Sequence, residues 1–350
     1  MSKSMFLKKL EARLDDKNDE VVISDLYGHI LETSKDQKGS RLLQDIYCLA
    51  DDTDKQQVFA EIKDSGKDLM LDKFANYVIQ LIFEHGLQSH KEFFAKKIKG
   101  SMMTLSMDDH GCRVIQKMLE DLKSPLRIDL VNELVDNVEK LIYNRNGNHV
   151  IQKVIEFVPE KYLGFITDEI SQNIYGFCKH KYGCRVIEKL IEFCKSEEVD
   201  QIVDEILPNI YKLTFDASGN YVAQAIIMHG KISHKKKLIS LYKKDLLELS
   251  THKYSSNVME CCFKYWSNAQ RKELVKELQK SNKSGFSSLE KILKDKYGNY
   301  VIQKMLEKLD KSDRETIVNR ILDIWKGEKK LNSSANHVLK IIKDKKFSSQ

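Results

Sequence analysis

A six-residue segment of fixed form returns eight times along this 350-residue chain, and its spacing constrains the fold more than any other feature. Each copy opens with a small residue, has two apolar residues near its centre and ends in Gln or Glu, as in Gly111-Cys-Arg-Val-Ile-Gln116. Six successive steps are 36 residues and the seventh is 43. A fixed period of this length is typical of stacked repeats that bury their apolar faces against one another. The copies begin at Gly39, Ala75, Gly111, Gly147, Gly183, Gly219, Ser255 and Gly298.

The repeats are predicted to be helical, because apolar residues recur at three- and four-residue spacing and no strand pattern competes. One such run is Ile128, Leu130, Val131, Leu134, Val135, Val138 and Leu141. Three positions before the segment stands a residue whose side-chain oxygen could cap the following helix. It is Asp36, Asp72, Asp108, Asn144, Asp216 or Asp295 in six copies, and His180 or His252 in the other two. These patterns predict an all-α solenoid.

The composition excludes several other classes of protein. The net charge of +6, from 58 basic and 52 acidic residues, leans only weakly toward a polyanionic partner. Seven cysteines form no framework typical of a small secreted domain, and the sequence has neither a secretory signal nor a long apolar run. We therefore expect a cytoplasmic protein that does not contact a membrane.

No catalytic or metal-binding motif is evident. The chain lacks a Gly-rich phosphate loop, HExxH and GxSxG, so we expect no enzymatic activity and no cofactor. Cys178, His180 and Cys184 lie close together, but they have no CxxC pair and no fourth ligand at the usual spacing. A structural role is the better interpretation of these three residues, and no metal site is predicted.

Three polar residues of each segment share one face of the predicted helix. With about 100° per residue and Cys112 as the origin, Arg113 lies near 100° and Gln116 near 40°, opposite the apolar arc. We call Cys112 and Gln116, with their equivalents, the edge pair, and Arg113 with its equivalents the middle residue. The wheel predicts that all three point outward, and stacking would align them in a row. The middle residues are mostly flat groups able to stack on a nucleobase.

The eight segments resemble those of the PUF (Pumilio/FBF) family of RNA-binding proteins over essentially the whole chain. The resemblance implies a right-handed, crescent-shaped α-solenoid of eight three-helix PUF repeats with capping elements at both ends. Residues 1–22 would form the N-terminal cap, and 23–311 the eight repeats of one Pumilio homology domain. Residues 312–350 would form a degenerate capping repeat and tail, with a ninth copy at Ala335-Asn-His-Val-Leu-Lys340. The polar stretch 281–288 is predicted to be a loop.

The resemblance further implies that each repeat reads one base of single-stranded RNA, with the C-terminal repeat taking the 5′ base. The predicted contacts are Ser40, Arg41, Gln44, Asn76, Tyr77, Gln80, Cys112, Arg113, Gln116, Asn148, His149, Gln152, Cys184, Arg185, Glu188, Asn220, Tyr221, Gln224, Ser256, Asn257, Glu260, Asn299, Tyr300 and Gln303. Lysines that directly follow the edge pair are either phosphate contacts or ordinary surface lysines, and we leave them out of the site: Lys117, Lys153, Lys189 and Lys304.

The chemistry of the edge pairs supports this one-base rule. Glu offers two acceptors to the N1 and N2 donors of guanine, whereas Gln can both accept and donate, as adenine requires. Small Ser or Cys leaves room for a purine, and the longer Asn reaches a pyrimidine and pairs with uracil together with Gln. The predicted site is 5′-UGU(G/A)UAUA-3′. Glu188 favours guanine at the fourth base, and adenine is the alternative because family members usually have Gln there.

The resemblance implies a monomer that binds 3′ untranslated regions of mRNA and regulates translation or decay. Protein corepressors or the deadenylase machinery would be its partners. Two other interpretations remain: a protein-binding helical-repeat scaffold, and a nucleolar PUF-like factor in ribosome assembly. A scaffold has no need for the edge pairs, and a nucleolar relative is expected to have eroded ones.

Overall fold

The computed structural model describes residues 3–16, 19–279, 288–326 and 333–344. Every regular element in these ranges is a helix, as predicted. Each repeat contributes a short helix, an 11-residue helix that carries the segment, and a linking helix to the next repeat. We call the 11-residue element the segment helix and number the repeats 1–8 along the chain. The helices form two compact units, one up to residue 169 and the other from residue 170.

The first unit holds repeats 1–4. Its α-helices are Met5–Asp15, Ile30–Lys35, Gln37–Tyr47, Asp52–Ile62, Gly66–Leu71, Ala75–His85, Gln88–Ile98, Met102–Met107, Gly111–Asp121, Leu126–Asn132, Val138–Tyr143 and Gly147–Phe157. Short 3-10 turns lie at Ile23–Leu26, Lys63–Ser65, Val135–Asn137 and Glu160–Tyr162. The helix Gly164–Gln172 contains the boundary between the two units.

The second unit holds repeats 5–8. Its α-helices are Ile174–Lys179, Gly183–Phe193, Glu197–Ile206, Ile210–Thr214, Gly219–His229, Ile232–Tyr242, Leu246–Thr251, Ser255–Tyr265, Asn268–Gln279, Ser288–Lys294, Gly298–Lys308, Lys311–Lys326 and Ser333–Asp344, with a 3-10 turn at Leu207–Asn209. Apart from Ser288, which begins a helix, the predicted loop at 281–288 lies outside the described residues. None of the described helices is both long and apolar enough to cross a membrane.

Side-chain caps start the segment helices where the sequence predicts them. Asp108 Oδ1 accepts from the backbone N–H groups of His110 at 2.8 Å and Gly111 at 2.7 Å. The same pattern holds for Asp36, Asp72, Asn144, Asp216 and Asp295. His180 and His252 fill this role through the ring Nδ1. Each cap satisfies N–H groups that a helix start would otherwise leave without a partner.

Apolar residues of each segment helix form the core. Val114, Ile115, Met118 and Leu119 are all fully buried, as the wheel predicts. Within each unit the segment helix of one repeat packs on that of the next, and each also packs on its own short helix. The short helix comes so close that a Cβ added to Gly147 would lie 2.8 Å from the carbonyl oxygen of Leu141. In repeat 7, where Ser255 replaces the glycine, its hydroxyl donates to Leu249 O at 2.7 Å.

Both terminal helices cover apolar surface. Met5–Asp15 buries Leu7 and Leu10 and packs on the segment helix of repeat 1. Ser333–Asp344 buries Ala335, Val338 and Ile342 and packs on Gly298–Lys308. The assignment of residues 1–22 and 312–350 as caps to the repeats at 23–311 stays a prediction. The packing explains why such segments are needed, since a terminal repeat has no neighbour on one side.

Removing one cap should weaken the fold measurably. Asp108→Ala abolishes two hydrogen bonds at the start of a buried helix and should lower the free energy of unfolding by about 1 kcal/mol. The free energy of unfolding of Asp108→Asn should remain close to that of the parent protein, since Asn144 caps the segment helix of repeat 4 in the same way. Urea unfolding followed by circular dichroism measures both variants. An equal decrease in the free energy of unfolding in Asp108→Ala and Asp108→Asn would show that the helix cap is not the source of this stability.

Candidate nucleic-acid interface

The three polar residues of each segment differ in exposure. We call the first residue of each edge pair, such as Cys112, the upstream residue and the second, such as Gln116, the downstream residue. In all eight repeats the upstream residue is only 1–3% exposed. The downstream members are half-buried, and the middle residues include the most exposed side chains, with Tyr77 at 49% and Tyr300 at 51%. The expectation that all three point outward is therefore wrong for the upstream residue. It sits at the first turn of the segment helix, where almost all of its surface is removed from solvent.

Asn and Gln form one repeated arrangement in the even-numbered repeats. In repeat 2, the Asn76 amide donates to the carbonyl oxygens of Asp72 at 2.8 Å and Lys73 at 3.0 Å. Its Oδ1 accepts from Gln80 Nε2 at 2.8 Å. The same three bonds occur around Asn148 with Gln152, Asn220 with Gln224 and Asn299 with Gln303, with Gln-to-Asn distances of 2.8–3.0 Å. Each even repeat thus holds one acceptor and one donor side by side.

A second arrangement occurs in repeats 1 and 3. Gln44 Nε2 donates to the backbone carbonyl of Ser40 at 3.1 Å, and Gln116 Nε2 to that of Cys112 at 3.0 Å. The Ser40 hydroxyl donates to Gln37 O at 3.4 Å, and the Cys112 thiol donates to Asp109 O at 3.7 Å. The small upstream side chain is therefore occupied locally, and the Gln Oε1 is the acceptor left for an incoming group.

Repeats 5 and 7 have Glu as the downstream residue of the edge pair, and the surroundings of the two carboxylates differ. In repeat 5, Glu188 Oε2 accepts from Arg185 Nη1 at 2.9 Å, and the Arg185 guanidinium lies 3.5 Å from the centre of the Tyr221 ring. In repeat 7, Glu260 forms no salt bridge with any described residue. Burial raises the pKa of Glu260, and the positive charge of Lys304 only partly opposes this effect. The same residue type therefore stands in two electrostatic environments.

The middle residues lie on the exposed side of the segment helices. Arg41, Tyr77, Arg113, His149, Asn257 and Tyr300 are exposed, and Arg185 and Tyr221 are half-buried. Partial desolvation of the His149 ring and the positive charge of the nearby Arg113 lower the pKa of His149. Since successive segment helices pack together within each unit, four middle residues lie on successive helices in each unit. Flat groups in this position can stack on planar ligands.

Lysines beside the edge pairs are already paired with acids. Lys117 lies 3.1 Å from Glu84 of the preceding repeat and 3.3 Å from Asp121. Lys153 pairs with Glu156 at 3.2 Å, Lys189 with Glu192 at 2.8 Å and Lys304 with Glu307 at 2.7 Å. Their positive charge is therefore partly neutralised by neighbouring acids.

Sequence reasoning missed the residues that extend the site beyond the Glu260 edge. A pocket of about 510 Å³ is lined by Tyr221, Gln224, Met228, Asn257, Glu260, Cys261, Lys264, Tyr265 and Lys304. Lys264 and Tyr265 come one helical turn after Glu260, with the Lys264 ammonium 4.8 Å from the Tyr265 ring centre. The available signal was the four-residue spacing between Glu260 and Lys264, since residues four apart share a helix face.

In the Cys178, His180 and Cys184 cluster, His180 caps the segment helix of repeat 5. His180 Nδ1 accepts from the backbone N–H of Tyr182 at 3.3 Å and Gly183 at 3.2 Å, so that nitrogen is engaged as a helix cap. Both cysteines are buried, and burial raises the pKa of Cys184 to about 11. Across the described ranges no group of three potential ligands is arranged to hold a metal ion. Cys184 thus presents a small neutral thiol beside Glu188.

The family model of the Pumilio-family RNA binding repeat (PUF) matches the chain eight times. The matches cover residues 29–63, 67–99, 101–135, 137–171, 173–207, 209–240, 245–279 and 291–322. Each match contains one segment helix, so the family repeats coincide with the repeats found from the period. They extend over most of the chain.

Similar proteins carry the same repeats. A Pumilio domain-containing protein of Schizosaccharomyces pombe is 37% identical over 106 residues, 30% of this chain and 15% of that protein. The mRNA-binding protein puf3 of the same yeast is 39% identical over 71 residues, 20% of this chain and 10% of that protein. These alignments span a small part of the curated relatives. A solved Puf3 RNA binding domain, bound to a Cox17 RNA 3′ UTR recognition sequence, is 35% identical, with a TM-score of 0.86 over 97% of this chain and 100% of that one.

The environment of Glu260 predicts a pH-dependent effect on stability. Because burial raises its pKa, the ionised carboxylate destabilises the folded state at pH 7, and Glu260→Gln should unfold at a higher urea concentration than the parent. As the pH falls through the raised pKa, the parent protein takes up a proton and the difference should shrink. Urea midpoints at pH 7 and pH 5 measure this change.

Glu188→Gln is the matched control for that variant. Its carboxylate is paired with Arg185, so the substitution should give no stabilisation at pH 7. A difference between Glu260→Gln and the parent that does not change with pH would contradict the burial argument.

Proposed function

The chain belongs to the Pumilio (PUF) family of RNA-binding repeat proteins, and from that premise we propose that it binds single-stranded RNA of the sequence 5′-UGU(G/A)UAUA-3′. The observation that carries this proposal is the alternation of two edge-pair geometries along the chain. Asn with Gln stands in repeats 2, 4, 6 and 8, and Ser or Cys with Gln or Glu in repeats 1, 3, 5 and 7. Uracils would then alternate with purines along the RNA.

The Asn–Gln arrangement is complementary to uracil. Asn220 Oδ1 and Gln224 Nε2 face each other at 3.0 Å, one an acceptor and the other a donor. Uracil offers an N3–H donor next to a carbonyl acceptor. The base can therefore replace one internal hydrogen bond with two intermolecular ones, and the buried Asn amide keeps its bonds to the backbone. The fixed amide orientation disfavours cytosine, which lacks the N3–H donor.

The odd repeats suit purines because their upstream side chains are short. Gln44 and Gln116 present Oε1, an acceptor for the adenine N6 amino group. Glu260 presents two carboxylate oxygens for the N1–H and N2–H donors of guanine, and its partial burial strengthens such bonds. Repeat 7 would then read the second base as guanine, and repeat 5 the fourth through Glu188.

The biological role follows from this RNA specificity. We propose that the chain acts in the cytoplasm as a monomer on 3′ untranslated regions of mRNA and lowers translation or message stability. Repression would come from recruited corepressors or deadenylase machinery, with no catalysis by the chain itself. The puf3 protein of Schizosaccharomyces pombe is described as mRNA-binding, and a solved Puf3 RNA binding domain is bound to a 3′ UTR recognition sequence. Both similarities support this proposal.

Selection of the purified chain against a random RNA pool tests the specificity directly. We expect enrichment of UGU, then G or A, then UAUA. Recovery of no sequence motif by a folded protein would contradict the proposal and favour a protein-binding scaffold. Retained RNA binding with a different motif would reject the base assignments alone.

Substitution of the downstream edge residue of one repeat should change the base preference at one position of the RNA. The preferences at the other positions should stay the same. Glu188→Gln replaces two acceptors with an acceptor and a donor, so the fourth base should shift from guanine toward adenine. Glu260→Gln should produce the same shift at the second base only. Dissociation constants for RNAs that differ at these two positions measure both changes. An unchanged fourth-base preference after Glu188→Gln would reject that assignment.

Stacking by the middle residues should contribute affinity without affecting the fold. Tyr300→Ala should weaken binding of the predicted RNA by about 1–3 kcal/mol, because one base loses its stacking partner. Its thermal midpoint should stay near that of the parent, since half of the side chain is exposed. Tyr162→Ala removes an exposed tyrosine that lies outside the segment helices, in the 3-10 turn Glu160–Tyr162, and serves as the control. Equal losses of affinity in the two variants would argue against a stacking role for Tyr300.

A further inference from the structure

Arg185 makes two contacts that set repeat 5 apart. Its guanidinium lies 3.5 Å from the centre of the Tyr221 ring of repeat 6, and its Nη1 donates to Glu188 Oε2 at 2.9 Å. In the described part of the chain, no other pair of neighbouring middle residues stacks in this way. One side chain thus contacts both the stacking residue of the next repeat and the edge residue of its own.

The stacking contact leaves no room for a base between Arg185 and Tyr221. A base held between two flat groups needs roughly 7 Å, about twice the contact distance of carbon atoms. The observed separation is 3.5 Å, half of that. A base inserted there has to displace the guanidinium from the ring.

The salt bridge also alters what Glu188 offers to a base. A carboxylate paired with a guanidinium is partly neutralised, and one oxygen already accepts a charge-assisted hydrogen bond. Guanine gains less from such a carboxylate than from an unpaired one. Discrimination against adenine also weakens, because the Glu188 carboxylate that faces the base carries less negative charge.

Repeat 7 provides the comparison within the same chain. Its middle residue is Asn257, at the same three-residue spacing from Glu260 as Arg185 from Glu188. Asn257 carries no charge, and Glu260 has no salt bridge among the described residues. The two Glu repeats therefore differ in the group beside the carboxylate, an arginine in repeat 5 and an asparagine in repeat 7, and also in the upstream residue, Cys184 against Ser256.

We propose that Arg185 is a specificity-determining residue that weakens guanine selection at the fourth base by pairing with Glu188 and stacking on Tyr221. Guanine is then selected strongly at the second base and only loosely at the fourth, where adenine is tolerated. This inference rests on the proposed RNA-binding function and predicts that repeat 5 accepts either purine although it carries Glu.

Reciprocal exchange of the middle residues tests the inference. We compare affinities for 5′-UGUGUAUA-3′, for 5′-UGUAUAUA-3′, changed at the fourth base, and for 5′-UAUGUAUA-3′, changed at the second. In the parent, the preference for guanine over adenine should be larger at the second base. Arg185→Tyr keeps a flat stacking group without the charge and should raise the fourth-base preference by about fivefold, with no change at the second. Asn257→Arg should lower the second-base preference by a similar factor.

The variant Arg185→Lys distinguishes the effect of the positive charge at this position from the effect of the flat guanidinium group. It keeps a cation beside Glu188, so the fourth-base preference should stay low if neutralisation of the carboxylate is the cause. A fourth-base preference in Arg185→Tyr equal to that of the parent would overturn the inference while the second base is still selected. Loss of selection at both bases in the parent protein would reject the proposed function and the inference with it. Thermal midpoints of all variants confirm that each is folded.

Discussion

The turn that starts each segment helix is the constraint on which the rest of the site depends. In repeat 2, the Asp72 side chain accepts the N–H groups of Phe74 and Ala75 and fixes where the helix begins. The carbonyl of the same residue then accepts the amide of Asn76, and Asn76 Oδ1 accepts that of Gln80. The cap therefore orients the edge pair through a continuous series of hydrogen bonds. An edge residue held in this way loses little conformational entropy when it meets a base.

Close packing against the short helix sets the depth of each edge pair. A Cβ added to Gly147 would lie 2.8 Å from Leu141 O, so the start of that segment helix lies directly against the backbone before it. The upstream edge residue is consequently buried, whereas the middle residue is exposed in six of the eight repeats and half-buried in repeats 5 and 6. A buried hydrogen-bonding residue beside an exposed flat one is suited to selecting a base edge while stacking on its face.

Electrostatics plays a smaller part than the net charge of +6 suggests. The lysines next to the edge pairs each contact an acid, and for Lys117 and Lys153 one such acid comes from the preceding repeat. Such exposed pairs add little stability, but they reduce the positive potential near the base-reading surface. In the proposed function, base specificity would therefore come from hydrogen-bond geometry and stacking.

The sequence alone determined the period, the helical class, the caps and the identity of every edge residue, because each depends on residues close together in the chain. A helix begins at its cap and turns every 3.6 residues, so residues three or four apart share a face without reference to the rest of the protein. Only the tertiary structure decided which residues distant in sequence contact one another and how those contacts change their environments. Burial of the upstream residues, the contact between Arg185 and Tyr221 and the different environments of Glu188 and Glu260 depend on side chains that come together when repeats pack. Local spacing carries no information about such contacts, since residues 36 positions apart meet only after the helices have stacked.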